Sequence, residues 1–229
     1  MRPPLVHVLA AAALAGLIMS CSSGIEATSQ FPVEERHVSV GDAQVQLLQC
    51  GASGQPAVLL LHGGKFSAED WRELETLQLL AGKGYSAYAV NLPGKEGSDA
   101  CPLDGAAYLD ALLNSLGLEE AVIVTPSASG RYALPFMAEH PARTTALVAL
   151  APVGIPANLD RLRGSEVPVL TVWSEDDRIV PSEQADLLAF AVLDAEQLSF
   201  ACDVHPVYLE HPEEFHEGLL EFLGENAAR

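Results

Sequence analysis

The sequence is short of basic residues. Lys and Arg number 12 against 31 Asp and Glu, a formal net charge of −19 at pH 7. A surface of that sign repels phosphate backbones and anionic membrane faces. It excludes nucleic acid as a partner and leaves small neutral or cationic ligands open. Cysteine is scarce as well, with four in 229 residues, too few for a disulfide scaffold. No C-x-x-C or His/Cys cluster stands at metal-ligand spacing, so nothing calls for zinc, and no cofactor is implied. Charged residues at 19% beside 49% hydrophobic residues exclude a disordered chain. Repeats and low-complexity tracts are also missing. What is left is one globular domain large enough to bury its own core.

The one long apolar run is at the start. Met1-Arg2-Pro3-Pro4 is followed by Leu5 to Met19, broken only by His7, and then by small and polar Ser20 to Gly24. Such a run reaches roughly 22 Å as a helix, short of the ~30 Å hydrocarbon core, and reads as a signal peptide. An uncleaved anchor or a buried helix is the alternative. Ile18-Met19-Ser20-Cys21 resembles the bacterial lipobox, and that resemblance implies Cys21 as the lipidated N-terminus. The expectation is a signal over 1–20, a tether over 21–32 and a domain over 33–225. The protein would then be exported to the periplasm or cell envelope and touch membrane only through its lipid. Cys50, Cys101 and Cys202 allow one disulfide in three pairings, and that choice stays open, as does the oligomeric state.

Two runs, His37 to Val40 and Val45 to Cys50, flank Gly41-Asp42 in hairpin fashion and predict antiparallel edge strands. Ala57 to Leu61, Tyr85 to Val90, Ala121 to Val124, Ala146 to Leu150 and Val167 to Val172 are continuous apolar runs, as a sheet covered on both faces requires. Between them lie helical patterns. Ser67 with Asp70 forms a capping box for a helix through Trp71, Leu74, Leu77 and Leu80 that Gly82 and Gly84 end, and Asp104 caps another through Leu116. Gly130 to His140, Ser182 to Leu193 and Pro212 to Leu223 supply three more. Strand alternating with helix predicts a single-domain α/β fold with a doubly wound, mostly parallel sheet of about eight strands.

In such a sheet, ligands bind beyond the carboxyl ends of the strands. There, Ala121 to Val124 leads into Thr125-Pro126-Ser127-Ala128-Ser129-Gly130 and a helix, the context of a nucleophile elbow. Strand and helix pass so closely that the residues two before and two after the nucleophile must be small. Ser127 satisfies this with Thr125 and Ser129, whereas Ser129 would place Arg131 at the crowded position. A serine hydroxyl needs a histidine to take its proton, and that histidine needs a carboxylate. Asp177 follows the strand at Val167 to Trp173, and His205 follows the strand at Leu198 to Ala201, in the order Ser, Asp, His. His62-Gly63-Gly64 follows an early strand, so the N–H groups of Gly64 and Ala128 are the candidate oxyanion donors. His62 reads as structural, and His211 and His216 as surface residues.

These elements together resemble the α/β-hydrolase superfamily, and more closely the abhydrolase domain-containing 14 proteins of animals, A and B types. The similar stretches are Leu59 to Gly63 with Phe66-Ser67, Asn91-Leu92-Pro93-Gly94, Pro126 to Gly130 with Leu134-Pro135-Phe136, Ala151-Pro152-Val153, and His205 to Leu209, within roughly residues 33 to 224. The resemblance implies Ser127 as nucleophile, Asp177 as acid and His205 as base. It also implies esterase-like activity on small acyl esters and, for the B type, lysine deacetylation with coenzyme A as acceptor. Cys202 and Val204 stand where many hydrolases have glycines. Coenzyme A is a polyanion, and the −19 charge with Lys65 as the one basic loop residue favours water instead. Only Ala151 to Glu166 separates the strands between which such enzymes insert a cap, so an open site without a cap domain is expected. The reading is a serine hydrolase of small-molecule acyl substrates. A CoA-dependent acyltransferase or a non-catalytic binding lipoprotein are the alternatives.

Overall fold

The computed structural model describes residues 31–226. The signal and lipidation readings, Cys21 among them, fall outside the described residues. Eight strands form one sheet: β1 (Glu34–Val40), β2 (Ala43–Cys50), β3 (Ala57–Leu60), β4 (Ser86–Val90), β5 (Ala121–Pro126), β6 (Thr144–Leu150), β7 (Val169–Ser174) and β8 (Ala195–Phe200). Their order is β1-β2-β4-β3-β5-β6-β7-β8. Contacts from β4 onward are parallel, while β1/β2 and β2/β4 are antiparallel. The hairpin expectation holds for β1 as an edge. β2 is not an edge, because Leu47 to Cys50 also pair with β4.

Strand periodicity divides the core in two. Leu59 and Leu61 face one layer, Val58 and Leu60 the other. The first layer holds α3 (Gly105–Leu116), α4 (Gly130–Glu139), α5 (Ile155–Leu162) and α6 (Glu183–Ala191). The second holds α1 (Ala68–Glu73), α2 (Thr76–Gly82), α7 (Val207–Glu210) and α8 (Pro212–Asn226). Both faces are covered, which is why the central strands read as unbroken apolar runs. The segment between β6 and β7 contains only α5, whose Ile155 and Leu162 are fully buried in the first layer. It is a core helix, and the described residues include no cap domain. Among the described residues, no helix is long and apolar enough to cross a membrane.

One predicted helix is two. The Ser67 capping box forms as expected, with the Asp70 carboxylate accepting from the Ser67 N–H at 2.7 Å. The helix then stops at Leu74, and Glu75 turns left-handed at φ 58 before α2 begins. At about 100° per residue, a continuous helix would put Trp71 and Leu80 on opposite sides. Both are buried against the same layer, and the break at Glu75 supplies the change of phase that a straight helix cannot.

Candidate active site

The strand order reverses between β3 and β5, whose neighbouring carboxyl ends open the crevice where this class of sheet binds ligands. From β5 the chain enters a single 3-10 turn, Ser127–Ser129, and then α4. Ser127 sits at φ 48, a left-handed conformation that costs a non-glycine residue about 1–3 kcal/mol. Its neighbours hold it there. Thr125 and Ser129 are fully buried and their hydroxyls lie 3.0 Å apart, while Ser129 Oγ donates to the Pro126 carbonyl at 2.8 Å. Where glycines would merely leave room, two hydroxyls tie the arms of the turn together. Ser129, the second candidate nucleophile, is thereby enclosed and committed to backbone. The Ser127 carbonyl accepts from the Val153 N–H at 2.8 Å. At Gly130 a Cβ would lie 2.4 Å from the Val153 oxygen, so the requirement for no side chain falls three residues after Ser127.

Ser127 Oγ is 2.9 Å from His205 Nε2, and His205 Nδ1 is 2.7 Å from Asp177 Oδ2. The Asp177 carboxylate is the acceptor in that second contact, so Nδ1 bears the proton and Nε2 is free to accept from the serine. Asp177 is held in turn: its Oδ1 accepts from the Ile179 and Val180 N–H groups at 2.8 and 3.0 Å, and its side chain is fully buried. The turn that carries it is fastened where Trp173 Nε1 donates to the Val180 carbonyl. The loop that carries His205 is stitched to the end of β7. Asp176 N–H donates to the Cys202 carbonyl, Ser174 Oγ to the Val204 carbonyl, and Cys202 Sγ to Ser174 Oγ at 3.4 Å. Cys50, Cys101 and Cys202 are all free thiols.

The loop after β3 lies across from the elbow. A Cβ placed on Gly64 would stand 3.4 Å from the Ala128 Cβ, and one on Gly63 would stand 3.7 Å from the Ser127 Cβ. Ala128 is second in its 3-10 turn, where an N–H has no helical acceptor. His62 is buried beneath this loop. Its Nε2 is 3.0 Å from the Leu92 N–H and its Nδ1 is 2.8 Å from the Gly63 carbonyl. The first partner can only donate and the second only accept, so His62 must be neutral with its proton on Nδ1. Burial pushes its pKa down, the carbonyl of Gly63 and the charges of Asp70 and Glu96 oppose this, and the Lys95 ammonium adds to it. Trp71 Nε1 donates to the Leu61 carbonyl at 2.8 Å, and its ring stacks on Tyr208, three residues past His205, with centroids 5.0 Å apart. This aromatic contact joins α1, which follows the loop after β3, to α7, which follows the histidine loop.

His216 departs from the expectation of a surface residue. It is half-buried, with Nε2 2.8 Å from Thr76 Oγ1, which fastens α8 to α2, and burial lowers its pKa. Sequence reasoning also missed Lys95, whose Nζ donates to the Gly64 carbonyl at 2.7 Å. It lies 31 residues from Gly64, and no local pattern marks the pairing. Among the described residues no group of three or more His, Cys, Asp or Glu is arranged to hold a metal ion.

The sequence is similar to that of ABHD14B of Homo sapiens, at 36% identity over 182 residues that cover 75% of this chain and 85% of the human protein. That relative's name provisionally assigns it protein-lysine deacylation. The chain belongs to the abhydrolase domain-containing 14 family. Another member, ABHD14A of Danio rerio, is 35% identical over 173 residues, covering 72% of this chain and 63% of its own. No family model matches the ABHD14-type chain. Its fold is similar to that of a Thermoplasma acidophilum protein described as a predicted CIB-like hydrolase, with a TM-score of 0.81 at 22% identity over 85% of this chain and 99% of the other. The family membership supports hydrolase activity.

Proposed function

We propose that this ABHD14-family protein is a serine hydrolase that cleaves small acyl esters through an acyl-enzyme, with water as the acceptor. The observation that carries the proposal is the hydrogen-bonded chain from Ser127 through His205 to Asp177. Ser127 Oγ attacks the acyl carbonyl while His205 Nε2 takes its proton, and the buried Asp177 carboxylate stabilises the imidazolium that forms. The N–H groups of Gly64 and Ala128 receive the oxyanion. His205 then protonates the leaving alkoxide, activates a water that attacks the acyl-serine, and returns the proton to Ser127.

A second reading is acyl transfer from lysine to a thiol such as coenzyme A: the name of the ABHD14B relative supports the lysine-deacylase half, and the thiol acceptor is what the family resemblance implies. The net charge of −19 disfavours a polyanionic acceptor, and water remains the first choice. An activity probe decides the core of the proposal. A fluorophosphonate should label the wild-type protein and fail to label Ser127→Ala; a folded wild type that resists labelling would favour a non-catalytic binding module. Added thiol should leave turnover unchanged, and acceleration by thiol would assign the acyltransferase reading.

Export as a lipoprotein belongs to the proposal on the strength of residues 1–24 alone. Intact mass of the membrane fraction should show a diacylated N-terminus at Cys21, and a mature protein starting elsewhere would remove it.

A further inference from the structure

The Gly64 N–H lies in the Gly63–Gly64 peptide plane, and how firmly that plane is seated depends on how the loop is held on both sides of Gly64, because a glycine by itself leaves both of its torsions loose. No peptide in the described chain is cis, and in a trans peptide the N–H and C=O point in opposite directions. The Gly63 carbonyl is turned toward His62 Nδ1, at 2.8 Å, and toward the Phe66 N–H, at 3.1 Å. The Gly64 N–H is therefore turned away from both. That restrains one side of Gly64. On the other side its own carbonyl accepts from Lys95 Nζ at 2.7 Å. With both flanking carbonyls tied, rotation about either Gly64 torsion has to break a hydrogen bond.

Lys95 is anchored for this task. Its backbone lies on the loop after β4, where Ser98 N–H donates to the Lys95 carbonyl at 2.8 Å and Lys95 N–H donates to the Leu92 carbonyl at 3.0 Å. Ser98 Oγ also donates to the Asn91 carbonyl and accepts from the Gln46 N–H. The same loop grips His62 through the Leu92 N–H. One loop thus holds the segment after β3 at two points, His62 and Gly64. No carboxylate is paired with the Lys95 ammonium in an ion pair among the described residues.

We propose that Lys95 is a positioning residue for the hydrolytic reaction: by holding the Gly64 carbonyl it fixes the far side of the glycine whose N–H is the oxyanion donor, and its ammonium adds a positive charge beside that site. The inference rests on the serine hydrolase reading above. It predicts an effect on the transition state and little on the ground state, since a held donor and a nearby positive charge matter most when charge develops on the carbonyl oxygen.

The test uses Lys95→Met, which keeps the apolar stem and removes donor and charge, and Lys95→Arg, which restores both. With p-nitrophenyl acetate, Lys95→Met should lower kcat about 10-fold, less than the 10²–10³ for deleting a donor outright, with KM within twofold. Lys95→Arg should recover most of the loss. Affinity for a trifluoromethyl ketone, which forms the oxyanion on Ser127, should fall in parallel with kcat, and fluorophosphonate labelling of Ser127 should persist at a reduced rate. Unchanged kcat in Lys95→Met, or a loss confined to KM, overturns the role of Lys95 while labelling at Ser127 leaves the hydrolase reading standing. A wild type that neither labels nor turns over removes both.

Discussion

Thr125 and Ser129, two residues before and two after Ser127, face each other with hydroxyl oxygens 3.0 Å apart. Ser129 spends its proton on the Pro126 carbonyl, so Thr125 is the donor between the two. Ser129→Ala leaves the buried Thr125 hydroxyl without a partner and should cost about 1–3 kcal/mol of stability. Adding Thr125→Val removes the orphan and should recover part of that loss. A urea-denaturation double-mutant cycle measures the coupling, and strict additivity would mean that the two hydroxyls act independently.

Asp177→Asn should abolish most of the activity without unfolding the protein. Its Oδ1 accepts two backbone N–H groups, so an asparagine keeps its oxygen there and presents its NH2 to His205. That forces the ring proton from Nδ1 to Nε2, where it cannot accept from Ser127. A fall in kcat on the order of 10⁴-fold is expected, with an unchanged thermal transition. Ester hydrolysis at wild-type rate would show that the contact at 2.7 Å is structural.

Gly130→Ala should destabilise the fold by about 1–3 kcal/mol or more, since the new methyl meets the Val153 oxygen at 2.4 Å and the Pro152 side chain at 2.7 Å. Gly224→Ala is the opposite case. Gly224 lies in α8 with open space around its Cβ position, and relief of glycine's entropy should add up to about 0.5–1 kcal/mol. Thermal melts of the two variants should move in opposite directions.

Stability should fall in mild acid. His62 and His216 have pKa values lowered by burial from the ordinary 6.5. Their contribution is full above about pH 6.5 and is lost as pH drops from there toward the lower folded values, because the unfolded chain takes up the protons first. Each histidine contributes a slope of at most about 1.4 kcal/mol per pH unit. At His62 protonation also competes with the Leu92 N–H for Nε2, with Lys95, Asp70 and Glu96 as the charged neighbours. Urea midpoints between pH 7.5 and 5 should fall, and His62→Gln should flatten the acid limb. A midpoint that stays level over that range would contradict the neutral assignment.

The order Ser127, Asp177, His205 was legible because each residue follows an apolar strand run and the chemistry of each is distinctive. That Gly64 comes to lie beside Ala128 follows from the same rule, since each stands just past the carboxyl end of a neighbouring strand. The division of the helix at Glu75 was not legible, since the spacing of Trp71, Leu74, Leu77 and Leu80 fits a single helix locally. Only packing both halves on one sheet face demands the change of phase. His216 looked exposed because nothing near it in sequence reports Thr76, 140 residues away.

The sequence by itself determined the covered, mostly parallel sheet and the places where chemistry can sit, because burial on both faces and strand-to-helix turns impose local patterns on residue type. The tertiary structure alone decided how those residues are held. Lys95 reaching Gly64, Trp71 stacking on Tyr208 and the proton on His62 Nδ1 all depend on which loops meet over the ends of β3 and β5, and local spacing carries no record of such meetings.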